Sequence, residues 1–121
     1  MIIQGKYKTG VYVGEKIEEK GDRTLLKVLA VLKHPLQGDL HQGFDTNVPL
    51  FHERNALSQY EKTWVPTVTV QKYDQDIPDY KESLRTALDE EMKKMKARND
   101  AFGNEALKSL EKLETRYKLD P

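Results

Sequence analysis

The chain is predicted to be an α+β protein. A small SH3-like antiparallel β-barrel spans residues 1–75, and a C-terminal helical hairpin over residues 76–121 packs on it. Two contrasts carry this. Six of the seven glycines and most of the valines fall before residue 76, in short apolar runs parted by turn residues. After Pro78 the apolar residues recur at three-to-four spacing in two stretches with no internal proline. A chain of 121 residues buries roughly two thirds of its unfolded surface, enough for one core without staples.

Taken in order, Gly10-Val11-Tyr12-Val13-Gly14 with Ile17 alternates as an imperfect strand. Lys20-Gly21-Asp22 supplies a turn. Thr24–Leu32 returns as the second arm of a hairpin, and a short helix is its competitor because Leu, Ala and Lys favour helix. Thr63–Val70 is rich in β-branched residues, and Pro66, which has no N–H, belongs at an edge or a strand boundary. Asp76-Ile77-Pro78-Asp79 opens the helical part, with Pro78 at the first helical position. Tyr80, Leu84, Ala87 or Leu88, Met92 and Met95 make one stripe, with Asp89→Lys93 and Glu90→Lys94 as supporting pairs. Asn99 to Asn104, with Gly103, breaks the pattern and places Asn104 as the cap of a second helix. Ala106, Leu110, Leu113 and Tyr117 form its stripe, with Leu107 beside it. Both stripes belong to the core, and a groove or a homo-oligomer face is the other use of the same residues.

Composition excludes several functions. There is no cysteine, hence no disulfide, thiolate metal site, cysteine nucleophile or thioether-linked lipid in these residues. Charge is balanced at 20 basic and 20 acidic residues, ten of each sign on either side of Pro78. That is not the field of a protein that holds nucleic acid through phosphates. No apolar run is long enough for a signal peptide or a bilayer span, so a cytoplasmic location is expected.

All three histidines, His34, His41 and His52, fall in one loop-like window, Lys33–Leu57. With Asp39 and Glu53 they offer nitrogen and oxygen donors for a metal, or an acid–base pair. Their spacings of seven and eleven match no short chelate, and no nucleophile elbow or phosphate-cradling glycine motif is present. Neither helix bears a histidine, which disfavours a phosphotransfer bundle. Lys33 and Arg54 read as solvated or paired with a carboxylate. Trp64, beside Pro66 and Tyr60, reads as core or as part of a peptide groove.

A resemblance adds to this. Tyr7-Lys8-Thr9-Gly10-Val11-Tyr12-Val13-Gly14-Glu15, then Lys27 to His41, then Val48-Pro49-Leu50-Phe51-His52-Glu53-Arg54 with Ala56-Leu57, then Ile77 to Leu84, are similar to the kinase-associated protein B family of endospore-forming bacteria. The resemblance implies a small β-barrel followed by helices. It also implies a non-enzymatic accessory protein with no cofactor, supporting a membrane-bound, KinB-type sensor histidine kinase in the sporulation phosphorelay. Such a protein would sit in the cytoplasm, peripheral to the membrane through the kinase. Lys33, His34, Asp39, His41, His52, Glu53 and Arg54 are the candidate contact residues. The alternative is a metal-dependent or acid–base hydrolase using His34, His41 and His52.

Overall fold

A computed structural model describes residues 1–38 and 51–119 of the chain. They form five strands and two helices: β1 Ile2–Tyr7, β2 Gly10–Lys20, β3 Arg23–Lys33, β4 Lys62–Pro66, β5 Gln71–Lys72, α1 Tyr80–Arg98 and α2 Ala101–Arg116. The strands make one antiparallel sheet in the order β4-β3-β2-β1-β5. Residues 24–32 are strand, not helix. Thr24, Leu26, Val28 and Ala30 are buried while Leu25, Lys27 and Leu29 between them are only half-buried, the period of two that a pleated strand imposes. β1 was not foreseen, because six residues with one clear inward pair, Ile3 and Gly5, carry too little pattern.

The expected barrel is a correction: the sheet curls but does not close. Pro66 ends β4, a 3₁₀ turn at Thr67–Thr69 diverts the chain, and β5 pairs with β1 only at Ile3 and Gln4. Register shifts along β2–β3 bend the long hairpin, as bulges do. The curl brings Val65 of β4 over β1, with its Cγ2 just 3.1 Å from where a Cβ on Gly5 would stand. A side chain there would push the two edges apart.

Both helix starts sit away from the residues the sequence suggested. Asp79, not Pro78, is the boundary of α1: its side chain accepts the Glu82 N–H, and Pro78 lies outside the helix. Asp100, not Asn104, caps α2 by accepting the Gly103 N–H at 2.7 Å. Asp89 pairs with Arg85 rather than Lys93. Arg85, near the start of α1, also pairs with Glu114 near the end of α2 at 2.5 Å, so the helices run antiparallel.

The hairpin lies against β3, where the Val31 N–H donates to the Ser83 Oγ at 3.0 Å. Leu84, Ala87 and Leu88 of α1 and Leu110 and Leu113 of α2 share one apolar cluster with Tyr12, Leu26, Val28 and Val31.

Candidate functional site

The segment after β3 crosses from the sheet to the helices, and its described parts are residues 33–38 and 51–57. Gln37 organises it. Its amide, 2% exposed, donates to the carbonyls of Pro35 and Arg54 and accepts from the Arg54 N–H and the Ser109 hydroxyl. Two donors and two acceptor positions are all a glutamine amide has, and all are used. The turn at Gly38, φ +86°, is a left-handed conformation that glycine adopts without strain. The Gly38 N–H then donates to the His52 carbonyl, and Arg54 Nε donates to the Gly38 carbonyl.

Three tyrosines from three elements hold the end of this strap. The hydroxyl of Tyr12, on β2, accepts the Leu57 N–H at 3.2 Å. That of Tyr80, on α1, donates to the Leu57 carbonyl. That of Tyr117, capping α2, accepts the Ala56 N–H at 2.8 Å. Burial pushes the Tyr12 phenol up to about 12 and raises those of Tyr80 and Tyr117, so all three stay protonated at neutral pH.

His34 lies inside this frame, fully buried. Its Nδ1 is 2.9 Å from the Pro35 carbonyl and its Nε2 is 2.9 Å from the Tyr117 hydroxyl. A carbonyl only accepts, so these partners assign the proton to Nδ1; Nε2 then accepts from Tyr117. Burial lowers its pKa, against the opposing effect of the Pro35 bond, so the ring is neutral.

A cleft of about 250 Å³ opens between the β1–β2 turn and the strap. Tyr7, Tyr12, Pro35 and Leu57 supply its apolar walls, and Lys8, Glu53 and Arg54 its charges. Trp64 and Tyr60 do not line it: Tyr60 is exposed beneath the Lys27 ammonium, and Trp64 lies across from Leu25.

The candidate residues separate accordingly. His34 has no free face or free nitrogen, so a triad of His34, His41 and His52 lacks a member. Glu53 binds Arg116 of α2. Arg54 is half-buried against Gly38 and lines the cleft. His52 is half-buried near the strap turn. Lys33 ends β3, where, after Lys94, it offsets the burial that raises the Glu91 carboxyl. Asp39 and His41 lie outside the described residues. Among the described residues no group of three His, Asp or Glu side chains is placed to hold a metal ion. Sequence reasoning missed Gln37, Lys8 and the tyrosines. Gln37 lies inside the window but is a weaker chemical signal than its histidines, and the tyrosines are 37 or more residues apart.

The model of the family Kinase associated protein B matches residues 7–118. The chain belongs to the kinase-associated protein B family. It is 44% identical over 116 residues to the kinase-associated lipoprotein B of Bacillus subtilis (strain 168), covering 96% of this chain and 91% of that protein. It superimposes on the crystal structure of kinase-associated protein B from Bacillus cereus with a TM-score of 0.82 at 38% identity, over 97% of this chain and 94% of that one. The α+β arrangement of sheet and paired helices is thus shared within the family. The B. subtilis relative is named a lipoprotein, while the 121 residues here contain no cysteine for a thioether-linked lipid. No helix among the described residues is long and apolar enough to cross a membrane.

Proposed function

We propose that this protein is a non-enzymatic accessory factor that supports a KinB-type sensor histidine kinase in the sporulation phosphorelay, acting by contact from the cytoplasmic side. Family membership, over nearly the whole chain, is the observation that carries this reading. The geometry supports it, because the hydroxyls of Tyr12, Tyr80 and Tyr117 fix Ala56 and Leu57 at the end of the strap, and a preorganised surface loses little entropy on binding. Lys33, His52, Glu53 and Arg54 form the described part of the contact surface, and Asp39 and His41 belong to the same strap in sequence. His34 acts from inside, by fixing the strap's path. Nothing favours the hydrolase, since both nitrogens of His34 are engaged.

Affinity capture from membranes of sporulating cells tests this. The tagged full-length chain is expected to retain a sensor histidine kinase, and His52→Ala is expected to retain less of it with its thermal midpoint nearly unchanged. His52 is half-buried, and its side chain makes no hydrogen bond to other described residues, so its loss is expected to cost little stability. Capture of no kinase by the unmodified chain would overturn the proposal.

A further inference from the structure

We propose that the cleft between the β1–β2 turn and the strap seats an acidic, extended peptide segment of the partner. A carboxylate of that segment meets Lys8 and Arg54, and a neighbouring apolar side chain lies among Tyr7, Pro35 and Leu57. The inference rests on the accessory reading above and specifies the chemistry of the segment recognised.

Charge is the first argument. Among the described residues three charged side chains line the cleft, two of them cationic. The anionic one, Glu53, is already committed to Arg116 on α2. Lys8 makes no ion pair among the described residues; its ammonium stands 5.5 Å from the centre of the Tyr7 ring, which orients it without neutralising it. Arg54 spends only its Nε, on the Gly38 carbonyl, and its terminal nitrogens have no acceptor among the described residues. A guanidinium presents those donors in a planar fork that matches a carboxylate.

Size and polarity choose a peptide over a small metabolite. At about 250 Å³ the cleft is below the ~300–1,000 Å³ of sites that enclose a whole ligand. It accommodates side chains projecting from a strand laid across it. Asn55, also in the lining, accepts from Arg116 on its Oδ1 and keeps its amide donors for a backbone carbonyl.

Rigidity is the third. Lys8 is held at φ +53°, a left-handed backbone that non-glycine residues keep only where the surroundings impose it. The next residue, Thr9, accepts the Leu36 N–H on its Oγ1 at 2.9 Å, tying the turn directly to the strap. The two walls are therefore joined directly to each other.

Panning a library of short linear peptides against the full-length chain tests the assignment. The enriched peptides are expected to carry Asp or Glu beside an apolar residue, and to bind more weakly as salt rises. For the best of them, Lys8→Asn is expected to weaken binding about tenfold, and Lys8→Asp further. Both residues tolerate left-handed backbone, so an unchanged thermal midpoint separates lost binding from lost fold. Peptides with no acidic preference, or binding indifferent to both substitutions, would overturn the cleft assignment. Failure here with kinase capture intact defeats the cleft and leaves the accessory role standing. Acidic peptides that need Lys8, with no kinase captured, support the cleft and defeat the accessory role.

Discussion

Protonating His34 would place an Nε2–H against a Tyr117 oxygen that already accepts the Ala56 N–H, and would turn the tyrosine proton away from the Nε2 that accepts it. The ring is thus held neutral by geometry as well as by burial. The unfolded chain takes up this proton near pH 6.5, and the folded form only at lower pH. The stability that neutral His34 contributes is therefore complete above that pH and declines as pH falls through it. Denaturant unfolding at about pH 7.5 and about pH 5 is expected to show this loss, and His34→Gln, which cannot titrate, to remove that part of it. An unaltered pH slope in the variant would show that other groups produce it. Gln37 bears on stability more directly. Gln37→Ala strands the Arg54 N–H, two carbonyls and the Ser109 hydroxyl, with an expected cost of roughly 2–3 kcal/mol in denaturant unfolding. A cost under about 0.5 kcal/mol, as for an ordinary surface change, would mean that water replaces the amide. The sequence showed this site only as a window: three histidines mark where polar chemistry gathers. Whether a ring points inward depends on the path of a loop, and loops have no period from which to read it.

Among the elements, legibility follows period and length. The long β2–β3 hairpin and both helices were readable, because eleven-residue strands and helices of 19 and 16 residues repeat their pattern several times. β1 and the two-residue β5 repeat it too few times to register, and without them the question of closure had no answer. The helix boundaries went astray because Pro78–Asp79 and Asp100–Asn104 each offer two acceptable starts, and only the bond to Glu82 or Gly103 chooses between them. Gly103, a helix breaker by its sequence context, lies within α2 for a packing reason. A Cβ there would stand 2.6 Å from the Met95 carbonyl oxygen, in the last turns of α1. At an open helical position Gly→Ala is worth up to about 1 kcal/mol of stability. Here Gly103→Ala is expected to lower the thermal midpoint, because the gain in propensity is smaller than the cost of forcing α1 and α2 apart. A midpoint that rises would show that the helical link can shift freely.

Among the described residues, the sheet and the helical hairpin share an apolar cluster, and the strap is fastened to both. Tyr117 makes two of the fastenings: one hydroxyl joins the end of α2 to the Ala56 N–H and to His34. Tyr117→Phe keeps the ring but leaves the buried His34 Nε2 and the Ala56 N–H without their partner, so faster amide exchange at Ala56 is expected together with a lower midpoint. The same arrangement bears on whether residues 1–75 fold alone. Val28 and Val31 of β3 are covered together with Leu84, Leu88 and Leu110, and the Val31 N–H has the Ser83 hydroxyl as its partner. Removing residues 76–121 would uncover that face of β3, free Val31 N–H and release Leu57 and Ala56 from two of their three phenols. Without the helices, the open five-stranded sheet has nothing among the described residues to cover that face. The expected outcome is one cooperative transition for the full chain, with coincident fluorescence and far-ultraviolet dichroism, and no folded state for the 1–75 fragment. Two separate transitions, or dispersed amide resonances from the fragment, would show instead that the sheet stands alone and the helices are an attachment.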